Sequence, residues 1–263
     1  MMSGPLLPWR LLLAIWLVAA VMMTLGWAWQ QRRENAGIVD VLWSIGLAAS
    51  AVANGVLGAG AAAPRIMVAA LGGIWGARLA LHLGRRVRGE PEDGRYHALR
   101  GRWGNNPFKW FGLFQFQAAL IPLFSIPFAA AAANPGTTML WAAIGVGIWL
   151  LSVGGESLAD RQLARFRANP AHRGKTCRAG LWRYSRHPNY FFEWLHWFSY
   201  VALAIGAAAG WYSLSGPLLM YVFLRWISGV PYTEAQALRT RGDEYREYQR
   251  TTSVLIPWWP RQA

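Results

Sequence analysis

Residues 110–132 read WFGLFQFQAALIPLFSIPFAAAA and contain no charged side chain. Wound as an α-helix, such a stretch can cross the hydrocarbon core of a bilayer, which takes about 20 apolar residues. Six further stretches of similar character occur along the chain. The sequence therefore predicts an all-α, polytopic membrane protein with about seven transmembrane helices, at residues 11–29, 38–59, 66–83, 110–132, 138–156, 189–208 and 211–229.

The composition also favours a membrane protein over a soluble domain. Of the 263 residues, 54% are hydrophobic, 17 are tryptophan and only 14% are charged. The apolar residues come in long blocks, and no segment gives a clear strand signal. We expect a single integral membrane domain over residues 1–263.

The distribution of cationic residues predicts the orientation of the helices. The first stretch is too long for the apolar region of a signal peptide and is followed at once by Arg32 and Arg33. We therefore predict a retained first helix whose C-terminal end is cytoplasmic. Seven helices then place the cation-rich segments 84–109, 157–188 and 232–263 together on the cytoplasmic side, so the predicted orientation is N-out and C-in.

The formal net charge of +14 has two explanations. The arginines are scattered through short membrane-flanking loops, so topology and attraction to anionic lipid account for much of the excess, and nucleic-acid binding is not predicted. The dense cytoplasmic loops also suit a phosphate-rich cofactor. The single Cys177 excludes an intramolecular disulfide, and the five histidines lack ligand spacing, so no metal site is predicted.

Residues 180–193 read GLWRYSRHPNYFFE and lead from a cationic loop into an apolar helix. Pro188 suits the first turn of that helix, because its missing N–H would have no partner there. Three side chains then share one helix face: Asn189, Glu193 and Trp197. Cations lie beside the helix start: Arg183, Arg186 and His187. This junction favours the binding of an anionic phosphate. The alternative is that the segment is only a membrane anchor with positive flanks.

Ionisable residues at membrane depth predict a polar cavity that opens to the cytoplasm, because they are costly to place there without a function. They include Asp40, Glu193 and Arg225, for which snorkelling or an internal ion pair is the alternative. In loop 84–109, the acids are well placed to fix neighbouring arginines. Beyond the fifth stretch, Asp160 could accept from ribose hydroxyls, and Arg167 could meet phosphate.

The tail repeats large or charged side chains at intervals of three and four: Glu234, Leu238, Arg241, Tyr245 and Tyr248. This spacing predicts a short amphipathic helix along the membrane face, anchored by interfacial Trp258 and Trp259. The helix either closes the cofactor site from below or serves only as an anchor.

Four motifs together resemble the bacterial, DUF1295-type branch of the steroid 5α-reductase family. They are the segment 180–193, Glu-Asp-Gly-Arg-Tyr at 92–96, Ser-Leu-Ala-Asp-Arg-Gln at 157–162, and the tail motif that ends in Ile-Pro-Trp at 256–258. The similarity runs from about residue 35 to the C-terminus. It implies a seven-helix reductase that holds NADPH in a cavity open to the cytoplasm, with hydride going to the β-carbon of an enone and a proton to the α-carbon.

The resemblance also implies site residues. It assigns seven residues to the cofactor: Asp160, Arg167, Tyr184, Asn189, Glu193, Trp197 and Arg225. The charge beside the helix start adds Arg186 and His187, and the tail helix that could close the site adds Glu234, Tyr245 and Tyr248. In the reductases, a carboxylate on the second helix and a tyrosine on the third hold the substrate carbonyl. Asp40 is the candidate for the first, whereas Trp75, which has no acidic phenol, falls on the second position. Phe192 stands where the family usually has glycine.

The implied partners are the bilayer and a hydrophobic enone or steroid-like lipid; a sterol, a polyprenyl enone and a fatty enone all remain open. The related isoprenylcysteine carboxyl methyltransferases share parts of these motifs and use S-adenosylmethionine. A strongly basic pocket would repel that cationic cofactor, so the charge favours NADPH. A non-catalytic membrane scaffold is the third alternative. We expect a monomer, and the lysine-poor composition suggests a bacterial inner membrane.

Overall fold

A computed structural model describes residues 7–261, which form helices and turns but no strand. The chain divides into two compact units. The first comprises the described residues up to Ala143 together with Tyr200–Gly216, and the second comprises Ile144–Ser199 and the residues from Pro217 on. The predicted all-α class is confirmed, and the single-domain description remains a prediction.

Within residues 7–261, five helices are long and apolar enough to cross a membrane, so the chain is an integral membrane protein. All five coincide with predicted stretches, because a helix satisfies its own backbone polar groups where no water is present. A sixth, short helix lies between two of them. In chain order they are α1 (Trp9–Arg33), α2 (Ile38–Leu57), α3 (Ala62–Gly89), the short α4 (Gly94–Trp103), α5 (Pro107–Ala132) and α6 (Met139–Ala168).

The sixth and seventh predicted stretches are divided into short elements. They comprise α7 (Pro188–His196), α8 (Phe198–Ala204), a 3₁₀ turn (Gly210–Leu214), α9 (Ser215–Val222) and a π-helical turn (Phe223–Ile227). After α8, Gly206 adopts a φ of 93°, which is open to glycine but ends a helix. The count of seven transmembrane helices and the N-out, C-in orientation therefore remain predictions.

In the first unit, α2 and α3 pack closely because glycines face small residues. A Cβ on Gly76 would lie 2.8 Å from the Ala48 Cβ, and one on Gly72 would lie 2.4 Å from the Ala51 Cβ. Small residues allow this backbone approach between membrane helices. The pairing places the start of α2 beside the end of α3, where Asn35 Nδ2 donates to the Val87 carbonyl over 3.4 Å.

In the second unit, α6 continues beyond its apolar part to Ala168, as predicted. The tail forms two helices, α10 (Val230–Arg241) and α11 (Asp243–Thr251), where the sequence predicted one. Gly242 between them has a φ of 54°, a left-handed conformation that breaks the helix. The prediction of one continuous amphipathic helix is therefore wrong.

Candidate functional site

Asp160 and Asn189 are in contact in the second unit. Asn189 Nδ2 donates a hydrogen bond to Asp160 Oδ1 over 3.1 Å. Asp160 reaches this position because α6 extends beyond its apolar part, and Asn189 does so because Pro188 begins α7 as predicted. The sequence assigned both residues to the cofactor, and the structure brings them together.

The loop before α7 is attached to α6 beside Asp160. Trp182 Nε1 donates to the Ala159 carbonyl over 3.0 Å, and the Leu181 amide donates to Gln162 Oε1 over 2.9 Å. Gly180 has a φ of 62°, and a Cβ there would lie 2.5 Å from the Gln162 side chain. A residue with a side chain would be strained at this position, which explains the glycine that begins the GLWR sequence.

Arg186 holds the tail against this loop. Its Nε donates to Glu234 Oε1 over 2.6 Å, and a terminal nitrogen donates to the Gln249 and Thr252 carbonyls over 2.9 and 2.6 Å. The Arg186 side chain is 10% exposed. A guanidinium suits such a position because it offers several donors in a fixed plane.

Glu234 on α10 is the centre of this contact. His187 Nε2 lies 3.2 Å from Glu234 Oε1, Tyr245 Oη donates to the same oxygen over 3.5 Å, and Gln249 Nε2 donates to Oε2 over 2.8 Å. Partial burial would raise the pKa of Glu234, but the hydrogen bonds from His187 and Arg186 outweigh it and lower this pKa to about 2. Glu234 is therefore an ionised acceptor.

Burial lowers the pKa of His187, and the charges of Arg186 and Arg225 act in the same direction, although Glu234 opposes them. The imidazole is therefore neutral near pH 7. It stacks on Tyr190 with ring centroids 5.2 Å apart. Burial likewise raises the pKa of Tyr245, with Glu234 contributing, so this phenol stays protonated.

Tyr248 completes the attachment of the tail. Its hydroxyl donates to the Trp182 carbonyl and, over 3.2 Å, to that of Ser185. Thr176 also binds the tail, because its amide and hydroxyl donate to Glu244 over 2.9 and 2.8 Å.

We call the set that joins loop and tail the Glu234 clamp: Arg186, His187, Glu234, Tyr245, Tyr248 and Gln249. The structure thus gives five predicted cofactor residues a role within the protein, and their contact with a cofactor remains a prediction.

The remaining predicted cofactor residues lie in several elements. Glu193 is half-buried on α7, Trp197 follows that helix and is fully buried, and Arg167 is exposed near the end of α6. Tyr184 packs its ring edge-on against Trp259 at 5.5 Å. Arg225 lies in the π-helical turn, an element that often marks functional sites and has no simple sequence signal.

Phe192 is accommodated by a glycine on α6. A Cβ on Gly155 would lie 2.4 Å from the Phe192 ring, and Phe192 is only 8% exposed. The bulky residue at the position where the resemblance implies glycine is therefore buried against a helix of the same unit. The large Phe192 ring fills the space that the small Gly155 leaves, so the two helices pack closely there.

The cations of loop 157–188 fall into two classes. Arg178 and Arg186 bind acceptors in the tail; Arg178 donates to the Glu244 carbonyl over 2.6 Å. The others are exposed along α6 and the loop: Arg161, Arg165, Arg167, Arg173, Lys175 and Arg183. The exposed class is the one accessible to an anionic ligand.

In the first unit, Asp40 accepts two hydrogen bonds from the segment that follows α3. Tyr96 Oη donates to Oδ1 over 2.8 Å, and a terminal nitrogen of Arg95 donates to Oδ2 over 2.9 Å. Tyr96 is 5% exposed; burial raises its pKa well above the usual value, and Asp40 adds to the shift. The phenol therefore stays protonated and remains a donor.

Tyr96 is the residue that sequence reasoning missed. It was noted only as the end of the Glu-Asp-Gly-Arg-Tyr block, yet it pairs with Asp40 from a position 56 residues away. The predicted partner Trp75 lies within α3 and is fully buried. The resemblance implied a tyrosine on the third helix, where this chain has Trp75. In the structure, the phenol next to Asp40 belongs to Tyr96 in α4.

The acids of loop 84–109 do fix its arginines, as predicted. Arg100 binds Glu92 over 2.7 Å, and the hydrogen bond that Arg100 donates to Glu92 raises the pKa of Arg100. Arg86 binds Asp93 over 3.0 Å, and Asp93 also accepts from the Arg95 backbone amide as the N-cap of α4. Paired arginines no longer repel each other, which allows this loop to order.

An apolar groove has a different character from these clusters. This groove of about 830 Å³ follows α2 and α3. Its lining is aliphatic and includes Ile45, Ala49, Val52, Ala69, Gly73 and Ile74. Within the described residues, no group of three or more His, Cys, Asp or Glu side chains could hold a metal ion.

A family model described as a protein of unknown function (DUF1295) matches residues 26–252, which is most of the chain. It therefore covers Asp40, Tyr96, the Asp160–Asn189 pair and all of the Glu234 clamp. No curated protein matches the chain significantly. No solved structure matches it significantly.

Proposed function

The chain belongs to the DUF1295 family, which is related to the steroid 5α-reductases, and we propose that it is an NADPH-dependent membrane reductase. Its substrate in this proposal is a hydrophobic lipid that carries an α,β-unsaturated ketone, such as a 3-oxo-Δ4 steroid. The observation that carries the proposal is the Asp160–Asn189 contact beside exposed cations. We place the protein in a bacterial inner membrane, as a monomer.

The side chains of the second unit suit NADPH chemically. Asp160 Oδ2 accepts no hydrogen bond from residues 7–261, so it is open to a ribose hydroxyl, while Asn189 offers an amide for ribose or nicotinamide. Exposed arginines on α6 and the loop would meet the diphosphate and the 2′-phosphate. When bound, NADPH supplies the hydride that adds to the β-carbon of the enone.

The Glu234 clamp has a positioning role in this proposal. Arg186 already binds three acceptors in the tail, so it holds the loop in place while other cations bind phosphate. The clamp thereby fixes the start of α7, from which Asn189 projects. Preorganised binding groups lose less entropy when the ligand arrives.

The first unit provides the residues assigned to the substrate carbonyl. Both oxygens of Asp40 accept hydrogen bonds, so Asp40 acts by positioning Tyr96. We assign Tyr96 the role of hydrogen-bond donor to the carbonyl oxygen, where negative charge develops as the enolate forms. Its hydroxyl hydrogen would turn from Asp40 to the substrate, while Arg95 continues to balance the carboxylate.

The test is to identify the nucleotide that co-purifies with detergent-solubilised protein by mass spectrometry, and to titrate the protein with NADPH, NADH and S-adenosylmethionine. Asp160→Ala should weaken NADPH binding at least tenfold, because it removes a ribose acceptor. Asp243→Ala is the matched control, since its side chain is 94% exposed on α11. We expect it to bind NADPH like the wild type.

Three results would count against the proposal. Selective binding of S-adenosylmethionine would identify a methyltransferase instead. Full NADPH affinity in Asp160→Ala would remove the residue on which the proposal rests. No binding of any of the three cofactors would favour a non-catalytic scaffold.

A further inference from the structure

Large apolar side chains are exposed in the tail, outside the five membrane-spanning helices. Ile256, Trp258 and Trp259 are 52%, 70% and 72% exposed. We call residues 256–259 the aromatic foot. A contiguous exposed patch of this kind marks a surface that contacts a partner or a membrane.

The aromatic foot is held rigidly by hydrogen bonds on both sides. Ser185 Oγ donates to the Leu255 carbonyl over 2.8 Å, and the Trp258 amide donates to the Tyr184 carbonyl over 2.9 Å. Beyond the foot, the Arg261 amide donates to the Thr251 carbonyl over 2.8 Å. The tryptophans are thus displayed at fixed positions rather than on a loose terminus.

The attachment of the foot within the second unit sets its distance from the apolar part of α6. Tyr184 directly follows the turn that binds Ala159 and Gln162 of α6. These two residues lie three to six positions beyond Glu156, where charged side chains begin, which corresponds to about 5–9 Å along the helix. The headgroup layer on each side of a bilayer is roughly 5–8 Å thick.

The charged residues that flank the foot in the chain are cations. Residues 250–263 contain no acid, and Arg250 and Arg261 are both exposed. The Arg183 guanidinium also lies 6.0 Å from the centre of the Tyr184 ring, which packs against Trp259. Tryptophan favours the interface between headgroups and acyl chains, and arginines beside it bind lipid phosphates.

We propose that the aromatic foot docks onto the headgroup layer of an anionic lipid leaflet, with Trp258 and Trp259 at the interface and Arg250 and Arg261 on lipid phosphates. Charge complementarity favours lipid over a second copy of this chain, because two such cationic patches would repel each other. Through the Trp258–Tyr184 hydrogen bond and the Tyr184–Trp259 ring contact, the docked foot steadies the loop of the candidate site.

A spin label can measure the depth of the foot, since Cys177 is the single cysteine and can be replaced by serine. The full chain carrying Trp259→Cys is labelled and placed in nanodiscs of phosphatidylcholine, with or without an equal part of phosphatidylglycerol. Accessibility to oxygen and to a water-soluble nickel complex is read by power saturation. A label at Arg239→Cys, an exposed position on α10, is the matched control.

We expect the ratio of oxygen to nickel accessibility to be several-fold higher at position 259 than at position 239, and to rise further with phosphatidylglycerol. Arg250→Gln together with Arg261→Gln should abolish that further rise. A label at 259 that is as open to nickel as the control would overturn the proposal. So would a depth that does not respond to the anionic lipid. A label at position 258 checks that replacing Trp259 has not itself displaced the foot. None of these results depends on the proposed reductase activity.

Discussion

Arg186 Nε donates to Glu234 Oε1 over 2.6 Å, and this ion pair joins positions 48 residues apart in the chain. One partner belongs to the most distinctive motif of the sequence, and the other begins the tail. An arginine that the sequence assigned to the cofactor therefore has an internal partner. Its consequences for stability can be measured without knowing the substrate.

Glu234→Gln should lower the free energy of unfolding by roughly 1–3 kcal/mol, because a neutral amide loses the charge-assisted hydrogen bonds from Arg186. The buried thiol of Cys177 provides the readout, since a thiol-reactive dye labels it only on unfolding. Glu247→Gln is the control: its ion pair with Arg178 is 45% exposed on the glutamate side, and we expect less than about 0.5 kcal/mol. Equal losses in both variants would contradict a special role for Glu234.

The Glu234 clamp also predicts how stability depends on pH. The pKa of Glu234 is about 2 in the folded protein against an ordinary 4.5, so its contribution is complete above about pH 4.5 and is lost as the pH falls towards 2. Burial lowers the pKa of His187 below 6.5, so its contribution is lost as the pH falls below about 6.5. Melting temperatures from tryptophan fluorescence should therefore fall in both windows.

Glu234→Gln separates the two contributions. This variant has no carboxylate to protonate, so its melting temperature should fall less than that of the wild type between about pH 4.5 and 2. A fall in that window as steep as in the wild type would assign the acid transition to other carboxylates.

Gly155→Ala should destabilise the protein by roughly 1–3 kcal/mol, because the new methyl group would meet the Phe192 ring at 2.4 Å. In a Phe192→Ala background the same methyl group has room, and its cost should largely disappear. The thiol-dye melting assay on the four proteins gives the coupling between the two positions. Additive effects would show that the helices shift apart rather than clash.

Tyr96→Phe should lower reductase activity by about 100-fold, because it removes the proposed donor to the developing enolate. Its loss of stability should be only about 0.5–1.5 kcal/mol, the size of one hydrogen bond. Turnover of NADPH with cholest-4-en-3-one is the measurement. Trp75→Phe is the comparison: if that variant loses the activity and Tyr96→Phe keeps it, the assignment of the donor is reversed.

Predictions from sequence succeeded where the signal is local. Five apolar stretches form the five long helices, Pro188 begins α7, and the acids of loop 84–109 bind its arginines. Each depends on neighbouring residues or on the apolar length of one segment. The tail helix was predicted wrongly because the spacing of its large side chains continues across Gly242, whose left-handed φ overrides the pattern.

Sequence alone determined that this chain is a helical membrane protein, because the length and apolarity of a segment decide whether it can cross a bilayer. Only the tertiary structure decided which polar side chains meet. Tyr96 reaches Asp40 across 56 residues, and Arg186 reaches Glu234 across 48, because helix packing brings together positions whose identity carries no local signal. From the sequence, Arg186 beside the start of α7 is predicted to bind phosphate. In the folded protein, the Glu234 carboxylate binds this arginine instead.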